Sequence, residues 1–482
     1  MDSDLIIKKK NEVYLQIHTH PHIAYELTDH FTFEVPEAKF MPAYRQRHWD
    51  GKIRLFSPGT GELYCGLKDY VIQFCKERGY VYNFADNEYY GLANAEDELV
   101  SFDGVKSFVK RFTTLKARDY QYTAIYEALR KKRKLIVSPT GSGKSFMIYS
   151  IVRFLQETGQ KIMIVVPTTS LVEQMYKDFK EYGWDSEQYC HKVYAGHEKV
   201  SPKPVTITTW QSVYKQKKSF FQEFTAVIGD EAHLFKAQTL KGILEKMKTT
   251  AIRIGTTGTL DGSEVHRLQL EGLFGPVKKV ITTKDLMDEG TIANLSIECV
   301  ILRHTKQKKM SYQDEMDYLV GNDSRNEFIC NLVYSLKGNT LVLFQYVEKH
   351  GAVLHGKMFK RLEDKLHYVY GGTDVTDREE VRELVEKSND NVILASYGTF
   401  STGVNIKKID NVVFASPSKS RIRNLQSIGR GLRKADGKTE MRLFDISDDL
   451  QCENHTLNHL KERINIYNEE GFVYQMRQFN IT

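Results

Sequence analysis

Cysteine is sparse: six in 482 residues (Cys65, Cys75, Cys190, Cys299, Cys330, Cys452), with no C-x-x-C and no His pair beside them at zinc spacing. That excludes a disulfide scaffold and a zinc module, and reads as buried thiols in a reducing compartment. Proline is scarce at 10, and no low-complexity tract interrupts the chain, so fibrous and disordered classes are excluded too. No stretch reaches 18 consecutive apolar residues, and the opening Met1-Asp2-Ser3-Asp4-Leu5 lacks the apolar core of a secretory leader. A soluble, cytoplasmic protein without membrane contact is expected. Nor does one sign of charge dominate: 68 basic against 62 acidic residues leave +6, too mild to identify a nucleic-acid partner. At about 150 residues per domain, the length predicts roughly three domains.

What the chain does have is a phosphate-binding loop. Ser138-Pro139-Thr140-Gly141-Ser142-Gly143-Lys144-Ser145 follows the β-branched run Leu135-Ile136-Val137 and precedes a helical pattern, Phe146 to Val152. Gly141 and Gly143 let backbone N–H groups turn inward around a polyphosphate at a helix N-terminus, a cradle that also takes in Thr140 and Ser142. Lys144 can then reach the outer phosphates and the Ser145 hydroxyl can ligate Mg²⁺. The strict pattern has Gly at the first position, where this chain has Ser138.

Short continuous apolar runs surround it: Ile162 to Val166, Val205 to Ile207, Ala226 to Ile228, Ala251 to Ile254, with helical segments between. This is the language of strands buried on both faces, and predicts a doubly wound parallel sheet whose ligands bind at the carboxyl ends of the strands. Asp230-Glu231-Ala232-His233 closes one such strand. There Asp230 can hold Mg²⁺ through water, Glu231 can orient or deprotonate the attacking water, and His233 can sense the γ-phosphate. A second set of runs, Leu341 to Phe344, Tyr368 to Tyr370, Val392 to Ala395, Val412 to Ala415 and Arg442 to Asp445, repeats the pattern without a P-loop.

The first hundred residues read as a small α+β module, with strands over Val13 to Ile17 and Phe31 to Val35 and a helix between Gly66 and Gly79. The module is acidic overall, with 11 Lys/Arg and 16 Asp/Glu. Within it, residues 39–56 hold Lys39, Arg45, Arg47, Lys52 and Arg54 against the single acid Asp50, with Tyr44 and Trp49 interleaved. Basic forks beside aromatics suit phosphate contacts and base stacking; a solvated basic hairpin has the same composition.

A P-loop with DEAH resembles the superfamily 2 helicases, and further motifs of that group can be matched. Arg118-Asp119-Tyr120-Gln121 is similar to the Q motif, which implies that Gln121 reads adenine. Pro167-Thr168-Thr169-Ser170 and Thr208-Thr209-Trp210-Gln211-Ser212 resemble motifs Ia and Ib, implying that Thr168, Thr169, Thr209 and Gln211 hold a nucleic-acid backbone. Thr257-Gly258-Thr259 stands where the family has Ser/Thr-Ala-Thr, the element coupling hydrolysis to movement. Ser396 to Asn405 resembles motif V, which puts Gly403 and Asn405 at the nucleotide and Thr402 on the strand. Gln426 to Arg433 resembles motif VI: Arg430 and Arg433, three apart on one helical face, are the expected arginine fingers, with Gln426 near the attacking water.

Within that superfamily, Phe31-Thr32-Phe33-Glu34, Phe40-Met41-Pro42, Trp49 to Leu55, Trp210 to Val213 and Ala395 to Val404 are similar to the bacteriophage UvsW helicases. The resemblance covers nearly the whole chain. It implies a DNA-binding α+β domain over 1–105, RecA-like domains over 106–295 and 296–450, and a C-terminal helical tail over 451–482, where the residues themselves read as a helix from His455 to Asn468, with Lys461-Glu462-Arg463 on a solvated face, and then a run of aromatics and amides. It further implies an ATP-dependent, Mg²⁺-using DNA helicase of phage recombination and replication, monomeric, working in the host cytoplasm on single-stranded, forked and branched DNA, Holliday junctions and the RNA–DNA hybrids of R-loops. Arg45, Arg47, Trp49, Lys52 and Arg54 become duplex contacts. Two rival readings stay open: an RNA remodeller, because DEAH motifs also serve RNA, and a strand-annealing protein that uses ATP only for release.

Overall fold

The computed structural model describes residues 3–35, 38–85, 97–194, 196–402, 406–435 and 437–481. The chain divides into two compact units: residues 1–138 with 143–280, and residues 281–482 together with Pro139–Ser142.

The first unit begins with six short strands, β1 (Leu5–Lys9), β2 (Tyr14–Thr19), β3 (Thr32–Glu34), β4 (Lys52–Arg54), β5 (Glu62–Tyr64) and β6 (Tyr82–Phe84). Four form a mixed sheet in the order β5-β2-β1-β6, while β3 and β4 pair as a separate antiparallel ribbon with Phe33 opposite Ile53. Strict alternation in β1, with Leu5 and Ile7 inward, buries one face and fixes the register Ile7↔Ile17. The expected helix is Lys68–Arg78, burying Val71, Phe74 and Cys75 and ending on left-handed Gly79.

Seven strands follow: β7 (Arg133–Val137), β8 (Ile162–Val166), β9 (Cys190–Val193), β10 (Val205–Thr209), β11 (Ala226–Asp230), β12 (Ile252–Thr257) and β13 (Val277–Lys279). They make one sheet in the order β13-β7-β12-β11-β8-β10-β9, with every pairing parallel. Every residue of β8 and β10 is buried, which is why their sequences read as unbroken apolar or β-branched runs.

The N-terminal strands and this sheet share one hydrophobic cluster, in which Leu5, Leu15, Phe31 and Phe74 pack with Leu135, Phe235, Leu268 and Phe274. Polar pins sit at its edge. Arg133, at the start of β7, donates from Nη2 to the Glu12 carbonyl at 2.5 Å and to Glu12 Oε2 at 2.8 Å. Tyr64 donates to Glu245 Oε1 at 2.6 Å and Tyr70 to Glu271 Oε2 at 2.5 Å. Backbone approach is so close that a Cβ on Gly66 would collide with the carbonyl of Glu271. At about 1.5–3 kcal/mol for each buried large apolar side chain, the shared rings outweigh the pins.

The second unit holds β14 (Asn294–Arg303), β15 (Thr340–Phe344), β16 (Leu366–Val369), β17 (Val392–Ser396), β18 (Asn411–Phe414), β19 (Glu440–Asp449) and β20 (Tyr474–Asn480). Their order is β16-β17-β15-β18-β19-β14-β20, again all parallel. Fold class thus agrees with expectation: two RecA-like parallel sheets preceded by an α+β module.

Two local expectations are corrected. The helix expected from His455 to Asn468 is present as His455–Glu470, but the tail over 451–482 is not helical to its end: the helix stops at left-handed Gly471 and is followed by β20, an edge strand paired to β14. Arg463, expected on a solvated face, is fully buried. It donates from Nε to Asp445 Oδ2 at 2.8 Å and from Nη2 to Ser447 Oγ at 2.7 Å, beside Tyr467, which donates to the same Oδ2 at 2.9 Å. Five of the cysteines are buried as expected, and Cys452 is half-buried.

Candidate nucleotide site and nucleic-acid face

β7 delivers the P-loop. The Ser138 N–H, at the strand end, donates to the Thr257 carbonyl at 2.9 Å, which ties the loop to β12. Gly141 (φ +86°) and Gly143 (φ +81°) are in the left-handed region, where a side chain is strained, so both loop glycines are required by the backbone. Within the loop, Ser142 is fully buried and donates from Oγ to the Pro139 carbonyl at 2.6 Å. Gly143 caps helix Lys144–Glu157, whose buried Met147, Ile148, Ile151 and Val152 anchor it to the sheet. Lys144 Nζ donates back to the Ser138 carbonyl at 3.1 Å, and Ser145 follows on the first turn, half-buried.

Gln121 reaches this loop from helix Asp119–Lys131. Its Oε1 accepts from the Arg118 N–H at 2.9 Å, reaching back to the start of its own helix, and its Nε2 lies where a Cβ on Gly143 would collide with it. The Q-motif glutamine is therefore 6% exposed and braced against the loop.

Asp230 ends β11, two strands from β7. Its Oδ1 accepts from Thr256 Oγ1 at 2.8 Å and from the Glu231 N–H at 2.9 Å. Burial and the Glu231 carboxylate push the Asp230 pKa up to about 6, against the pull of Lys144. Glu231 sits at φ +49°, ψ +50°, a left-handed conformation rare outside glycine and common at active sites. His233 is 6% exposed; its Nδ1 is 2.9 Å from Thr257 Oγ1 and 3.4 Å from Glu231 Oε2. Because Thr257 Oγ1 donates its one proton to the Thr259 carbonyl at 3.0 Å, this bond network assigns the proton between His233 and Thr257 to Nδ1.

These residues fit a nucleotide and its Mg²⁺. Glycines that no Cβ could replace line the cradle, and a carboxylate disfavoured by its surroundings would be relieved by a divalent cation. Among the described residues no group of three or more His, Cys, Asp and Glu could hold a metal by itself, so Asp230 and Ser145 would share such a cation with water and phosphate.

The expected nucleic-acid residues lie at strand ends and in the N-terminal ribbon. Thr168 caps helix Thr169–Glu181 through a 3.4 Å bond from the Leu171 N–H, leaving Thr169 exposed. Thr209 ends β10, is 3% exposed and pairs its hydroxyl with Ser212 at 2.9 Å, whereas the neighbouring Gln211 is exposed. A surface depression is lined by Lys39, Tyr44, Arg45, Arg47, His48, Trp49 and Asp50. Trp49 is fixed by its Nε1 donating to the Lys52 carbonyl at 2.8 Å, and Arg54 is held on Asp50 at 2.5 Å. Arg45, Arg47 and Lys52 are exposed.

In the second unit, helix Arg421–Gly431 carries Gln426 and Arg430, both half-buried; Arg433 lies beyond the Leu432 cap, off the helix on which it was expected. Helix Tyr397–Thr402 begins motif V, with Ser396 Oγ 2.8 Å from Thr399 Oγ1. Gly403 and Asn405, and the side chain of Thr402, lie outside the described residues. Thr256 escaped the motif reading: it stands one residue before the matched Thr257-Gly258-Thr259, and only its place in the sheet sets its hydroxyl on Asp230.

The family DNA helicase UvsW, N-terminal, matches residues 4–85; Type III restriction enzyme, res subunit, matches 114–262; and Helicase conserved C-terminal domain matches 324–435. The chain is 33% identical to the ATP-dependent DNA helicase uvsW of Enterobacteria phage T4, over 95% of this chain and 96% of that one. It is 24% identical to the DNA 3'-5' translocase XPB2 of Sulfurisphaera tokodaii, over 67% of this chain and 80% of the relative. The crystal structure of T4 UvsW matches with a TM-score of 0.53 at 29% identity, covering 99% of both chains.

Proposed function

This chain belongs to the UvsW family of ATP-dependent DNA helicases, and on that premise we propose that it remodels forked and branched DNA and unwinds R-loops in phage recombination and replication. Its motor is an ATP-driven one. What carries the finer reading is the exposed, aromatic and basic depression of Lys39 to Asp50 built on a module that shares its core with the P-loop sheet. Such a surface grips a duplex backbone while the motor works on a strand.

The backbone amides of Thr140 to Lys144 bind the phosphates, Lys144 turns from Ser138 to the outer phosphates, and Gln121 braces the loop on the adenine side. Ser145 and Asp230 would hold Mg²⁺, Asp230 through water, and the ion would supply positive charge against the phosphates. Glu231 orients the attacking water, and His233 passes the state of the site to Thr257 and so to the strand end of β12. Arg430 and Arg433 supply positive charge to the γ-phosphate, with Gln426 beside the water; such fingers are worth roughly 10³–10⁵ in rate. Gly403 and Asn405 complete nucleotide contacts, and Thr168, Thr169, Thr209, Gln211 and Thr402 carry the tracking strand. Arg45, Arg47, Trp49, Lys52 and Arg54 hold the duplex arm. The working form is a monomer in the host cytoplasm; among the described residues no helix is long and apolar enough to cross a membrane.

The test is steady-state ATPase with Mg²⁺ against single-stranded DNA, forked DNA, an R-loop and single-stranded RNA in parallel. Strongest stimulation by forked DNA and the R-loop is expected. Stimulation by RNA alone would replace the track with RNA, and annealing that proceeds at full rate without ATP would favour a strand-pairing role.

A further inference from the structure

Two threonines follow one another at the end of β12, and alternation along the strand sends their hydroxyls to different residues of Asp230-Glu231-Ala232-His233. Thr257 Oγ1 meets His233 Nδ1 at 2.9 Å. Thr256, fully buried, stands directly opposite Asp230 in the parallel β11–β12 register and donates to Asp230 Oδ1 at 2.8 Å. The second donor to that same oxygen, the Glu231 N–H at 2.9 Å, belongs to Asp230's own turn and moves with it. Thr256 comes from the neighbouring strand, so its hydroxyl is the external reference that sets the rotation of the carboxylate.

We propose that Thr256 is a positioning residue for Mg²⁺–nucleotide binding: by holding Asp230 Oδ1 it assigns Oδ2 to the water shell of the cation. A valine at 256 would keep the shape and the β-branch but remove the donor, leaving the Glu231 N–H as the one remaining bond on Oδ1 among the described residues. Thr256 touches neither phosphate nor metal; it acts through Asp230. The inference rests on Asp230 being the Mg²⁺ carboxylate, as proposed above.

The experiment is a fluorescence titration of the full chain with a mant-labelled, non-hydrolysable ATP analogue as Mg²⁺ is raised from an EDTA baseline, for the wild type, Thr256→Ser, Thr256→Val, Thr256→Ala and Asp230→Asn. Loss of a group that orients a metal ligand typically costs about 10–100-fold in metal affinity, so Val and Ala should raise the half-saturating Mg²⁺ about tenfold. Binding in EDTA should be unchanged, and Ser should follow the wild-type curve. Wild-type Mg²⁺ dependence in Val and Ala, or an equal loss in Ser, overturns the proposal. If Val does not fold, Ala decides. If neither folds while Ser does, the hydroxyl is assigned to stability and the proposal fails. Asp230→Asn separates the two levels: an unchanged Mg²⁺ curve there would sink the Asp230 assignment itself, whereas a shifted curve beside wild-type Val and Ala curves would sink only Thr256.

Discussion

At the residue scale, the proposed nucleotide site is a set of short tethers between strand ends. Ser138 holds Thr257 through backbone, Thr257 holds His233 through its hydroxyl, and Thr256 holds Asp230. The phosphate loop itself allows little substitution. Gly143→Ala places an L-residue at φ +81° and drives a Cβ into Gln121. A left-handed L-residue costs roughly 1–2 kcal/mol, so nucleotide affinity is expected to fall by about tenfold or more with the fold retained. Equilibrium binding of ATP alongside circular dichroism would check it. Lys144→Ala should abolish ATP turnover while leaving thermal unfolding unchanged, because the lysine's bond to the Ser138 carbonyl is replaceable by water at this half-buried site. Retained turnover would refute the assignment of the loop.

At the scale of elements, the N-terminal module is part of the first motor unit. Glu12 illustrates the attachment. Burial raises its pKa, but the Arg133 and Lys9 charges win and leave it below the ordinary carboxylate value. A depressed carboxylate contributes stability that is present above its unfolded pKa and lost as pH falls through the folded value. Glu12→Gln leaves the fully buried Arg133 side chain uncompensated, and should cost roughly 3 kcal/mol at pH 7. The difference from wild type should narrow as pH falls past the ordinary carboxylate range and through the lower native value, where Glu12 also loses its charge. Thermal unfolding of both proteins from pH 7 to pH 3 measures this; a gap that stayed constant would show that Glu12 acts by packing alone. The C-terminal helix and β20 follow the same pattern, since the buried Arg463–Asp445 pair joins a segment that composition presents as a polar tail.

At the scale of the whole molecule, a net charge of +6 says little, because the acidic N-terminal module gathers five of its 11 basic residues between Lys39 and Arg54, with Asp50 the single acid among them. Nucleic-acid affinity is therefore expected to depend on few phosphate contacts from that module. Arg45→Ala combined with Arg47→Ala should make the slope of log K for forked DNA against log salt shallower by about 2, at roughly 0.9 for each phosphate no longer neutralised. Fluorescence anisotropy between low and physiological salt would read it, and an unchanged slope would remove the depression from the DNA face. The same variant should weaken binding nearly equally across sequences, since phosphate contacts carry no base information.

Everything legible in the sequence was contiguous. The P-loop, DEAH, the Thr-rich strand ends and the arginine helix are runs of neighbouring residues, and the parallel sheets announced themselves through unbroken apolar strands; both kinds of signal are set by local backbone geometry and burial. Thr256 on Asp230, 26 positions apart, and Arg133 on Glu12, 121 apart, were invisible there. So were the burial of Arg463 and the strand at Tyr474–Asn480, and the place of Arg433 just past its helix. Each depends on strand order, register or where a helix stops, and a parallel sheet decides those through crossovers and side-chain packing across the whole unit. Sequence by itself thus determined which chemistry this chain carries and on what kind of scaffold; tertiary structure decided which side chains hold that chemistry in place.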